Sequence, residues 1–181
     1  MKDVDGEELH PAAFYTVADE GEDGPAELGA KLIGELPEFT ELAIDGPRIA
    51  WLMRHGVKEK AGRVTLGEMV LPRFQGSLGS VGAWALAHKL GAVPDFLCIL
   101  DAGWWDAATP HQRAGLVHHE LKHLAIATDK EGEKRFDDEG RPVWALVGHD
   151  LEEFADTVRR YGDYAGDLAP FLAAAREGGA A

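Results

Sequence analysis

The sequence predicts an α+β fold: a small mixed or antiparallel sheet packed on one long helix, with a further helix after it. Three observations lead there. Short apolar runs at 48–54, 63–71, 95–100 and 142–147 are bounded by Gly, Pro and Asp and have strand length. A stretch from Thr109 to Ala127 has helical periodicity and a clear start signal. The 181 residues amount to a single domain, and no repeat or low-complexity linker divides them.

The first 28 residues are acidic and poor in large apolar side chains. Such a segment buries too little to offset its ordering entropy, so 1–28 is expected to be mobile. The single domain then spans 29–175, with 176–181 a flexible tail. Arg48–Arg54 follows the turn Asp45-Gly46-Pro47 and reads as a strand. Arg63–Leu71 alternates at Val64 and Leu66, then meets an irregularity at Gly67. Gln75–Gly82 is rich in Gly and Ser and reads as loop. Ala83–Leu90 forms a short helix ended by Gly91. Asp95–Leu100 follows Pro94 and reads as a buried strand, with Cys98 an inert core thiol. Thr109 caps the long helix, with Pro110 at its first position, where a missing N–H costs nothing. Asp137–Gly140 is a turn and Pro142–Val147 a strand. A second helix starts near His149 or Asp150 and runs to Tyr161, with Asp150 able to cap it. A last helix spans Leu168–Ala175.

Composition excludes several functions. Basic residues number 18 and acidic ones 32, for a net charge of −14, a poor balance for gripping nucleic acid or an anionic membrane. One cysteine allows neither an intramolecular disulfide nor a Cys-based zinc knuckle. No apolar run approaches the roughly 18 residues of a membrane span. The N-terminus lacks the basic start and apolar stretch of a signal peptide, so a cytoplasmic setting is expected.

The chemistry lies in His119-Glu120-Leu121-Lys122-His123, an H-E-x-x-H on the long helix. Positions i and i+4 share a helix face, so His119 and His123 can offer two imidazole nitrogens to one zinc ion. Zinc acidifies water, and Glu120 beside that face can take the proton as the water attacks a carbonyl. Ala114, Val117, Leu121, Leu124 and Ala125 are left to face a core. A catalytic zinc needs a third protein ligand. The candidates are His149, Glu152 and Glu153. His149 is favoured because a neutral imidazole carries no charge to bury. A carboxylate is the alternative, either as ligand or supporting the ligand. Glu152 with Asp156 makes E-x-x-x-D, which resembles the thermolysin-type peptidases, where the Asp orients a zinc-bound histidine. His118 points about 100° away from the motif's face and reads as packing. His10, His55, His88 and His111 read as surface. Trp104, Trp105 and Trp144 read as core. Tyr161 and Tyr164 can donate to a developing oxyanion, although packing is the commoner role.

Three stretches together carry a resemblance: DFLCILDAGWWDA, then T-P-x-Q-R-x-x-L-x-x-H-E-L-x-H-L, then G-R-P-x-W-x-L-x-G-H-D-L-E-E-F followed by V-R-R-Y-G. Over 43–162 the chain resembles the phage metallopeptidases, small zincin-like proteins of phages and prophages. More distantly it is similar to the SprT/Spartan-like and ImmA/IrrE-like zincins. The resemblance implies a zincin-like domain in a host cell's cytoplasm. It implies a zinc site from His119, His123 and the H-D-x-E-E-F block (His149, with Glu152 or Glu153), and Glu120 as general base. Asp156 and Tyr161 are expected to support the site or touch substrate. The expected partner is a protein or peptide, with no direct nucleic-acid or membrane binding. The competing reading is an acidic binding protein, a DNA mimic or anti-defence factor with a structural or vestigial zinc. Zinc hydrolysis of a non-peptide amide would use the same residues.

Overall fold

The structure, a computed structural model, describes the chain except for residues 1, 3–4, 19–20, 22–23, 61, 150–154, 165, 167, 170–175 and 177–181. A four-stranded mixed sheet lies at its centre, with strands in the order 15–17, 49–54, 96–101, 67–70. Strand β2 (Ile49–Arg54) runs parallel to β6 (Phe96–Asp101), with Trp51 opposite Cys98 and Arg54 opposite Asp101. Strand β1 (Tyr15–Val17) adds antiparallel to β2, and β5 (Gly67–Val70) antiparallel to β6. Strand β6 is central, and its Phe96, Cys98 and Leu100 are fully buried. Burial also pushes the Cys98 thiol's pKa well up, which keeps it inert.

Strand β1 corrects an expectation. Residues 15–17 lie within the acidic segment expected to be mobile, yet Thr16 pairs with Met53 and Ala18 is buried. Backbone pairing to a sheet edge orders this stretch, and composition carries no signal of it. Helix α1 (Pro25–Glu35) follows, with Pro25 at its first position, and packs on the long helix. Its Gly29 lies against the Trp51 ring, which leaves no room for a Cβ. A short helix α2 (Thr40–Asp45) leads into β2.

The 63–71 run divides in two. Arg63–Val64 (β4) pairs with Glu59–Lys60 (β3) as a separate hairpin, and β5 begins at Gly67. The expected 83–90 helix starts earlier, as α3 (Gly79–Leu90), and ends at Gly91 with φ 78°. Helix α4 (Ala102–Ala107) follows β6, with Asp101 accepting from the Trp104 N–H and Trp105 buried in the core.

Helix α5 (Pro110–Lys122) carries the motif. Thr109 and Gln112 cap each other reciprocally: Gln112 Oε1 accepts from the Thr109 N–H at 2.8 Å, and Thr109 Oγ1 accepts from the Gln112 N–H at 3.3 Å. The helix stops five residues before the expected end at Ala127. Leu124–Ile126 instead forms β7, paired antiparallel with β8 (Trp144–Leu146). Helical periodicity continues through this stretch, but the strand partner 20 residues away overrides it. Helix α6 is described over Ala155–Tyr161. Asp150, the expected cap, lies outside the described residues, as do 170–175 of the expected last helix. No described helix is long and apolar enough to cross a membrane.

Candidate metal centre

Three imidazoles converge at the end of α5. His149 Nε2 lies 3.1 Å from His119 Nε2 and 2.9 Å from His123 Nε2. His119 is on the last full turn of α5 and His123 is its C-cap. His149 stands in the irregular segment after β8; the expected helix start, near His149 or Asp150, runs into residues outside those described. The β7–β8 hairpin delivers His149. Val147, next after β8, donates its N–H to the His123 carbonyl at 2.8 Å. The Val147 carbonyl lies 2.8 Å from His123 Nδ1. With the proton on Nδ1 donated to that carbonyl, His123 Nε2 keeps its lone pair for the cluster.

The donor set fits a metal ion. Ligand nitrogens each about 2.0–2.1 Å from a tetrahedral zinc stand about 3.3 Å apart, close to the spacing seen here. In the tautomer that carries its proton on Nδ1 each imidazole offers an Nε2 lone pair, so the three together suit one shared cation. Glu152 and Glu153, the alternative ligands, lie outside the described residues.

Glu120 is 1% exposed and lines the same cleft, which measures about 980 Å³. Edge strand β5 walls the cleft opposite α5. A Cβ on Gly67 would lie 3.0 Å from both Glu120 Cδ and Leu116 Cδ1, and nearer still to Glu120 Oε1. The sequence irregularity at Gly67 is thus the point where the strand backbone approaches the carboxylate.

Two expected site residues are placed elsewhere. Asp156 accepts from Lys122 Nζ at 2.9 Å and lies beside His118, not beside the three-imidazole cluster. His118 is fully buried, with Nδ1 2.8 Å from Thr157 Oγ1 and Nε2 3.3 Å from Glu38 Oε1. Burial above all holds its pKa below the ordinary value. Tyr161 stacks edge-on against His111 and His118. Helical geometry accounts for both displacements, because α6 packs on the His118 face, one residue around from the metal face. The tyrosine that lines the cleft is Tyr164, whose ring lies against Gly115 of α5.

Sequence reasoning missed the other wall. Lys58, Lys60 and Arg63 of the β3–β4 hairpin line the cleft. Arg54, fully buried, holds the hairpin's base. Its Nε donates to the Gly56 carbonyl at 3.1 Å and its Nη2 donates to the Thr65 carbonyl. It also pairs with Glu68 at 3.2 Å and Asp101 at 3.3 Å. The spacing of Lys58, Lys60 and Arg63 around a short turn in an acidic chain was the available signal.

No curated protein and no solved structure matches the chain. A family model does, across residues 20–176, and on that match the chain belongs to the family described as putative phage metallopeptidase.

Proposed function

We propose that this protein is a zinc-dependent peptidase. The observation that carries the reading is the convergence of His119, His123 and His149 within 3.1 Å contacts beside the buried Glu120. These three imidazoles would hold the zinc, which supplies Lewis acidity to polarise a carbonyl and acidify water. Glu120 takes the proton of the attacking water and returns it to the leaving amine. Burial of Glu120 beside Leu116 and Gly67 limits competing water. Among the described residues β5 stands at the edge of its sheet and lines the cleft, so an extended peptide can pair along it as an added strand. Tyr164, from the cleft wall, is the tyrosine suited to donate to the developing oxyanion.

The test couples two measurements. Untagged protein should carry near one zinc per chain, and His119→Ala should lose it. Glu120→Gln should keep the zinc and lose cleavage of a peptide library. Full activity in Glu120→Gln would refute the mechanism. Absence of zinc after loading at neutral pH would refute the metal centre.

A further inference from the structure

The side-chain amide of Gln112 faces two ways. Its Oε1 accepts from the Thr109 N–H at 2.8 Å and closes the cap of α5, while its Nε2 donates to the Tyr164 carbonyl at 3.3 Å. Only one orientation of the amide satisfies both partners, since the first offers a donor and the second an acceptor. Tyr164 lies three residues beyond the end of α6. The Gly162 N–H donates to the Val158 carbonyl at 2.9 Å, and the chain leaves α6 through Gly162 at φ 65°. On the way out, the Asp163 carboxylate accepts from the N–H groups of Leu168 and Ala169 at 3.1 and 2.7 Å. Between these fixed points Tyr164 is only 7% exposed.

The seat of the ring is Gly115. A Cβ there would lie 2.7 Å from Tyr164 Cγ and 3.0 and 3.1 Å from its two Cδ atoms, so only glycine admits the ring. Gln112, Gly115 and His119 stand at i, i+3 and i+7 and share one face of α5. From Gly115 to His119 the helix rises about 6 Å. Tyr164 lines the cleft together with His119, Glu120 and His149. The tie at the cap therefore sets where along α5 the tyrosine meets the metal centre.

We propose that Gln112 is a positioning residue, whose amide holds Tyr164 on Gly115 in register with His119 and Glu120. The use of that register in the reaction rests on the peptidase reading above; the tie itself does not.

Gln112→Glu separates the two duties of the amide. A carboxylate still accepts from the Thr109 N–H, and negative charge suits a helix start, so the urea midpoint should match the wild type. It cannot donate to the Tyr164 carbonyl. The chain has three tyrosines, Tyr15, Tyr161 and Tyr164, so fluorine NMR of protein labelled with 3-fluorotyrosine reads each of them. The Tyr164 line, identified by its loss in Tyr164→Phe, should move toward its urea-unfolded position in Gln112→Glu while the other two stay. Gly115→Ala, which unseats the same ring and leaves the cap whole, should move the same line. In zinc-loaded Gln112→Glu, kcat for peptide cleavage should fall about ten-fold with KM and zinc content unchanged. Tyr164→Phe should cost about 100-fold in kcat, and adding Gln112→Glu to it should cost nothing more. An unmoved Tyr164 line in Gln112→Glu, or a shift of all three lines, would overturn the proposal. So would an undiminished kcat in Gln112→Glu, or a further loss in the Tyr164→Phe background. Absence of cleavage by the wild-type protein would sink the peptidase reading alone, and the fluorine line then decides the tie.

Discussion

His123 and Val147 hold each other by two hydrogen bonds, the Val147 N–H to the His123 carbonyl and the Val147 carbonyl to His123 Nδ1, both 2.8 Å. The pair ties the C-terminal end of α5 to the end of β8. It orients one imidazole directly, and it brings His149, two residues on, to the other two.

Val147→Pro should therefore loosen the tie that holds the Val147 carbonyl and His149 in place, and weaken zinc binding by about 10–100-fold, the scale seen when a ligand's support is lost. Proline removes the N–H, whereas Val147→Ala keeps both bonds and should bind zinc as the wild type does. Competition with a fluorescent chelator measures this. Wild-type affinity in the proline variant would show that the pair does not set the site.

Gly67→Ala pushes a methyl into Glu120 and Leu116, both well buried. Overpacking of this kind costs about 1–3 kcal/mol, and here it also displaces the carboxylate. Peptide cleavage should fall far more than zinc content, which depends on the imidazoles. Gly34→Ala, in α1 with open space around it, should raise stability by about 0.5–1 kcal/mol and serves as the control. Urea unfolding and cleavage assays on both variants decide it.

Arg54→Met strands Asp101 and leaves Glu68 to Lys58 alone. Asp101 is 8% exposed and Glu68 one-fifth exposed at its side chain, and both pair with Arg54. Breaking a buried pair from one side costs about 3–5 kcal/mol, visible as a fall in the urea midpoint. Arg54→Lys should recover little, because an ammonium cannot reach Gly56, Thr65, Glu68 and Asp101 together.

Acid should destabilise the protein through the α5–α6 contact. Burial opposes ionisation of Glu38 and Asp156, yet both carboxyls are held below their ordinary pKa values. For Asp156 the hydrogen bond and charge of Lys122 outweigh burial; for Glu38 a backbone hydrogen bond, His118 and Arg160 do. A depressed folded pKa gives stability that is present above the unfolded values of 4.5 and 3.8 and lost as pH falls through the lower folded ones. Urea unfolding of metal-stripped protein should show a loss below about pH 4.5 that Lys122→Gln reduces. Both groups are partly solvated, so the Lys122 contribution should be about 1 kcal/mol or less. An identical pH profile in Lys122→Gln would count against the pair.

Much of the centre was legible in the residues themselves. Thr109, Pro110 and Gln112 announce the start of α5, and the i, i+4 spacing of His119 and His123 places both on one face wherever that helix packs. The central strands were legible too, since Phe96–Leu100 is a compact apolar run between Pro94 and Asp101. The resemblance over 43–162 also held, and the family match extends it to 20–176.

The sequence by itself determined what is local: the helix, its caps, two imidazoles at fixed spacing and the buried strands. These follow from periods of 3.6 and 2.0 residues and need no distant partner. Tertiary structure alone decided the rest. It ended α5 at Lys122 by giving Leu124–Ile126 a strand partner, and it brought His149 across 26 residues to His123. It paired Tyr15–Val17 with β2 despite acidic surroundings, turned Asp156 and Tyr161 toward His118, and set Gly67 against Glu120. Each of these is a contact between segments far apart in the chain, and its energy depends on what the partner offers once the chain has closed.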